Sequence, residues 1–295
     1  MKYIHFLIIV LTAVFCLFQF HSCKRPQKIE NIIINLDLAD FDVDESYYLE
    51  VGGKVLYTLP TPIEASMLIK NWGVPKPELL NDPSNASKYL TKKKMATNLG
   101  IYITDMTLAG LYGQAQTVLQ YKDAIQELIK GLDIQALADP QILQKIEDNI
   151  NNRDVLMEII SDIYAICTLF LSADDRDFYA MAMLAGGWVE GMYIATGMID
   201  ENLASEDNLI RMKAVVMDNK PTFDLIWSAL SQKDIIPEEA VFLMLDMSYA
   251  AHFLGHQTLL SIPANVEAFD SDKVTRNFFA DFKDCIQVLR HQFTR

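Results

Sequence analysis

From Pro62 onward the apolar residues recur with a helical period in long runs, and that pattern constrains this chain more than any other feature. Met95, Leu99, Tyr102, Met106, Ala109 and Gly113 fall at alternating steps of four and three, one stripe along a helix. Breakers are few. In 295 residues there are 12 Gly and 10 Pro, and Leu, Ile, Met and Ala dominate the apolar set, which disfavours a many-turned β-sandwich. The period and its punctuation predict helices over 62–73, 83–113, 114–130, 140–151, 153–171, 174–197, 205–219, 221–231, 237–260 and 271–290. Short loops between them imply antiparallel neighbours. The expected fold is all-α, either an irregular multi-helix bundle or a solenoid-like array. A loose recurrence of helix pairs suits the array, but no tetratricopeptide pattern fits.

The N-terminal part differs. Phe6 to Phe18 is apolar apart from Thr12, a run too short for a bilayer span and of signal-peptide length. Lys2 supplies the positive flank, and Ser22-Cys23 closes the run. A small residue before Cys is lipobox logic, so residues 1–22 read as a lipoprotein signal peptide and Cys23 as the lipidated mature N-terminus. Phe20 and His21 are unusual neighbours for that motif. An uncleaved anchor and plain secretion remain the competing readings. Residues 23–60 read as a tether, with YYLEV and KVLYT around Gly52-Gly53 as a hairpin signal. Residues 61–295 read as one α-helical domain.

Composition narrows the function classes. Apolar residues make up 51% and charged residues 22%, so the bulk of the chain is not disordered. The net charge of −14 supplies no basic footprint for phosphates, so no nucleic-acid partner is expected. Loss of residues 1–22 removes one Lys and no acid, which makes the mature body still more acidic. Anionic headgroups repel such a surface, and the lipid would hold the body near the membrane while it stands off. Cys167 and Cys285 sit in apolar helical runs and read as separate buried thiols more readily than as a disulfide.

The stretches 58–73, 81–116 and 184–197 carry a resemblance. Asn98, Leu99, Gly100, Tyr102 and Asp105 form the pattern Asn-Leu-Gly-x-Tyr-x-x-Asp. In this the chain resembles an uncharacterised family of all-helical lipoproteins of Bacteroidota. Leu108 stands where that family often has an aromatic residue. The resemblance implies fold class and location: a cell-envelope lipoprotein, outer-membrane-anchored and facing the periplasm, with a membrane contact through the N-terminal lipid and an envelope protein as a possible partner. It implies no activity.

Four long apolar helices each hold one acid: Asp105, Asp162, Glu190 and Asp246. Tyr102, Tyr193 and Tyr249 lie three residues from Asp105, Glu190 and Asp246, on the same helical faces. An unpaired buried charge is costly, so each acid must reach water, a hydroxyl or a cation. The expected arrangement is a shared polar seam of Tyr102, Asp105, Tyr112, Glu190, Tyr193, Asp246, Tyr249 and His256. It is either a structural network or the lining of a ligand pocket. Metal chemistry lacks its motif: there is no Glu-x-x-His, and Phe253 replaces the Glu of His-Glu-x-x-His between His252 and His256. No Gly-x-Ser-x-Gly and no phosphate loop occur, so no catalytic residue, metal or cofactor is assigned. Gly187, Gly191 and Ala195 form a small-residue stripe suited to close helix approach. The reading that results is a non-enzymatic binding or scaffolding lipoprotein; the alternative is a periplasmic binder of small ligands in an inter-helix polar pocket.

Overall fold

A computed structural model describes residues 49–51, 54–56, 66, 77–134, 137, 140–172, 176–199, 206–231, 238–256, 258 and 276–295. All lie in the unit spanning Val43–Arg295. The signal peptide, Cys23 and most of the tether fall outside the described residues, as does the helix expected over 62–73 apart from Ser66. Two three-residue strands, β1 (Leu49–Val51) and β2 (Lys54–Leu56), pair antiparallel with Val51 opposite Lys54 across Gly52-Gly53.

Among the described residues the other regular elements are helices, in an all-α multi-helix bundle. The α-helices are α1 (Lys92–Leu111), α2 (Ala115–Gly131), α3 (Pro140–Asp148), α4 (Arg153–Leu171), α5 (Asp177–Met198), α6 (Glu206–Leu230), α7 (Glu238–Phe253) and α8 (Arg276–Thr294). Two helices form the centre. In α1 every residue from Ala96 to Leu111 is buried, and α5 is apolar around most of its circumference. A helix with no polar face has to be surrounded. α1 packs against α2, α4, α5 and α8, while α5 packs against α4, α6 and α8 as well. A solenoid would join only neighbours in sequence; here the last helix returns to the first, so the array alternative gives way to the bundle.

The α1–α5 contact is backbone against backbone. A Cβ on Gly100 would stand 1.9 Å from the Met183 carbonyl oxygen, and one on Gly186 1.9 Å from that of Thr97. Close approach was legible in the sequence, but Gly186 and Gly100 carry the tightest contacts rather than the Gly187–Gly191 line.

Three boundaries depart from the sequence reading. The stretch expected to run unbroken from 83 to 113 splits. Asp82 caps a 3-10 helix, Pro83–Lys88, its side chain accepting from the Ser84 N–H at 2.9 Å, and α1 starts afresh with Thr91 as its cap. Pro221 does not divide 205–231: α6 runs through it. Proline removes the bond to the Met217 carbonyl. Asn219 is bound in from two sides instead, its Nδ2 donating to Val215 O at 2.8 Å and its carbonyl accepting from Trp188 Nε1 at 3.1 Å. Finally, α7 stops at Phe253 rather than reaching Leu260. Gly255 takes φ 87°, and His256 N–H closes onto Ala251 O at 2.8 Å, a Schellman cap.

Cys167 and Cys285 are unbonded. Burial pushes both thiols up, that of Cys285 to about 12.

Candidate functional site

The centre of the bundle holds two carboxyls and one guanidinium. Glu190 on α5 and Asp105 on α1 are fully buried. Arg290 on α8 reaches Glu190 in a fork, Nε to Oε2 at 3.1 Å and Nη2 to Oε1 at 3.2 Å. Its guanidinium also lies 4.8 Å from the centroid of the Tyr193 ring, a cation–π contact. Arg290 is placed by register. It stands four residues after Ile286 and three before Phe293, both buried, so it shares the apolar stripe of α8.

Asp105 accepts from the backbone N–H of Asn81 at Oδ2, 3.0 Å. Its Oδ1 is buried and receives no hydrogen bond from any donor among the described residues. Burial, then the neighbouring Glu190 charge, holds the Asp105 carboxyl well above the usual carboxylate range, against the smaller opposing pulls of Arg290 and the Asn81 N–H. The two carboxyls interact, and that interaction favours the protonated form of Asp105 and the charged form of Glu190. Burial also raises Glu190, while Arg290 and the Asp105 hydrogen bond favour its charged form. With Asp105 protonated the cluster carries one negative charge, on Glu190, and one positive charge, on Arg290.

Asn81 ties this cluster to a second layer. Its Nδ2 donates to Tyr89 Oη at 3.1 Å and Asn98 Oδ1 at 3.4 Å, and its carbonyl accepts from Tyr121 Oη at 2.9 Å. Asn98 Nδ2 in turn donates to Phe293 O at 2.8 Å on α8. Tyr102 Oη donates to Asp82 O at 3.0 Å, and its ring lies between those of Tyr89 and Tyr121. Burial raises all three phenols, so they stay neutral donors.

The structure thus gathers Tyr102, Asp105, Glu190 and Tyr193 and leaves the other seam candidates elsewhere. Tyr112 sits at the C-terminal end of α1, about two turns beyond Asp105. Asp246 forms an ion pair with Lys93 at 3.6 Å, near the start of α1, and burial raises it while Lys93 pulls it down. Tyr249 is 45% exposed. His256 Nε2 meets Asp224 Oδ1 at 2.8 Å, with its ring beside Phe223 and Trp227. Asp162, the fourth acid, lies on α4, where burial and then Glu158 raise it to about 6. The single seam of three helices is corrected to a centre of α1, α5 and α8. Position along the helix decides this: Lys93 and Asp105 are twelve residues apart in α1, so the Asp246 pair sits about 18 Å up the axis from Asp105.

Arg290, Asn81, Tyr89 and Tyr121 were missed by sequence reasoning. Arg290 could have been found from its register on the stripe of α8. Asn81 could not, because its contact with Asp105 is made by a loop backbone N–H.

An open groove of about 460 Å³ lies between α7 and α8. Asp246 and Tyr249 line it from α7, and Asp281, Asp284 and Val288 from α8. Among the described residues no three His, Cys, Asp or Glu side chains converge as a metal site, and no helix is long and apolar enough to cross a membrane. Compared with family models, with curated proteins and with solved structures, the chain matches none.

Proposed function

We propose that this is a lipid-anchored protein of the bacterial cell envelope that works by binding through its surface and not by catalysis. The observation that carries the second half is the Glu190–Arg290 fork at 3.1 and 3.2 Å. The charges of Glu190 and Arg290 are met by one another inside the bundle. Arg290 forks onto Glu190, and the adjoining Asp105 carboxyl favours the charged form of Glu190. A buried network of this kind, with Asn98 and Glu190 both bound to α8, favours one packing of α1, α5 and α8. This favours a structural centre over a ligand pocket at that place, and it leaves recognition to the exterior. Ser22-Cys23 after the 13-residue apolar run supports the anchor, and the acidic body supports a stance away from anionic lipid.

Replacing Cys23 with Ser tests the anchor. The variant should leave the membrane fraction and accumulate with its signal peptide uncut. Continued membrane retention would overturn the lipoprotein reading in favour of an uncleaved anchor. Protease treatment of intact cells should spare the wild-type body if it faces the periplasm.

A further inference from the structure

An open groove of about 460 Å³ separates α7 and α8. Along α7, Tyr249 and Phe253 follow each other at a step of four, with Asp246 beside them. Along α8, Asp281, Asp284 and Val288 follow at steps of three and four. These are the ridge spacings into which the side chains of a third helix interdigitate. Phe253 closes the floor, buried within the core. Tyr249, 45% exposed, and Val288, 58% exposed, form opposing apolar walls.

Charge lines the same walls. Lys93 engages Asp246 and also lies 5.8 Å from the Phe242 ring centroid. Asp281 and Asp284 are exposed and form no ion pair with any described residue. Lys283 lies between these two acids in sequence, and Arg290, further along α8, is turned inward onto Glu190. The groove therefore presents an apolar floor beside an acidic α8 edge, its α7 acid being met by Lys93, on a chain already at net −14.

We propose that this groove docks an amphipathic helix of a partner protein, with apolar side chains on its inward face and Lys or Arg along its edges. The inference rests on the surface-binding reading above and gives that reading a partner chemistry. Tyr249 and Val288 grip the apolar face; Asp281 and Asp284 meet the basic edge and reject an acidic one. Apolar contact supplies the affinity, and charge supplies the register and the choice of partner.

The test uses the full chain in non-ionic detergent, with protein-free micelles as the blank. The probe is a labelled helical peptide of about 15 residues, leucines on one face flanked by lysines, and its counterpart has glutamates in place of the lysines. Anisotropy should saturate with the lysine peptide only. Asp281→Asn with Asp284→Asn should weaken binding roughly tenfold, and Val288→Arg should do the same by filling the groove. Glu127→Gln with Asp218→Asn removes two exposed acids on α2 and α6 and should change affinity less than about twofold. Equal losses from both acid pairs would reduce the effect to net charge and overturn the site. So would no saturation above the micelle blank, or affinity indifferent to Val288→Arg. Lipidation at Cys23 is scored by fractionation on the same chain, so a failure of the groove and a failure of the anchor are read separately.

Discussion

The centre of the bundle and its α7 flank carry the same sequence signature and use it differently. Glu190 with Tyr193 and Asp246 with Tyr249 each place an acid and a tyrosine three residues apart in an apolar helix. At the centre the acid is fully buried, met by a forked guanidinium, and the tyrosine ring lies against that guanidinium. On the flank the acid meets a single lysine at 3.6 Å, and the tyrosine faces solvent. The difference is made by elements distant in sequence. α8 brings Arg290 one hundred residues along the chain to Glu190, whereas nothing among the described residues covers Tyr249. A local motif specifies that an acid needs a partner, and tertiary packing specifies which.

The largest effect should come from removing the central cation. Arg290→Met leaves Glu190 buried without its counter-charge and should cost about 3–5 kcal/mol in urea unfolding. The double variant Arg290→Met with Glu190→Met should recover part of that loss, because an apolar pair needs no compensation. If Arg290→Met costs no more than a surface change, the centre is not closed around the pair and its contrast with the flank disappears.

The two regions also differ in how far the sequence alone reveals them. The helical class and the limits of α2 and α4 follow from period and punctuation. The need for partners at Asp105 and Glu190 follows from burying charge in apolar runs. Arg290 was hidden because α8 reads as an ordinary amphipathic helix, in which one cation near the C-terminal end is unremarkable. Asn81 was hidden because a backbone N–H has no side-chain signature. Pro221 misled for a local reason: a proline usually ends a helix, and the buried contacts of Asn219 with Val215 and Trp188 hold α6 together across it. Gly255 was legible and passed over; the positive φ it supplies is what ends α7.

The proton on Asp105 gives a second, smaller contrast, set by pH. Its folded-state affinity for the proton is raised by burial and by Glu190. The folded chain therefore holds this proton more tightly than the unfolded chain does. Its stabilising contribution is complete below the ordinary Asp range and is lost as pH rises through the raised folded value. Asp105→Asn imitates the protonated acid, keeping an acceptor for Asn81 N–H and a donor toward Glu190. It should match wild type within about 1 kcal/mol near pH 4 and be the more stable of the two at pH 8. Parallel stability–pH curves for the two proteins would show that Asp105 is ionised after all.

The smallest effect belongs to the flank, and it separates a binding surface from a structural one. Tyr249 is half exposed in the groove wall and adds little to the core. Tyr249→Ser should therefore shift stability by no more than about 0.5 kcal/mol, the range of surface substitutions away from caps and buried pairs. Binding of the lysine-edged helix should fall nonetheless, because the substitution removes one apolar wall without touching a charge. Asp246 complicates the flank, since its Lys93 pair joins α7 to α1, so Tyr249 is the cleaner probe. A stability loss comparable to that of Arg290→Met would mean that the groove wall is part of the core, and the division between a locked centre and a working flank would fail.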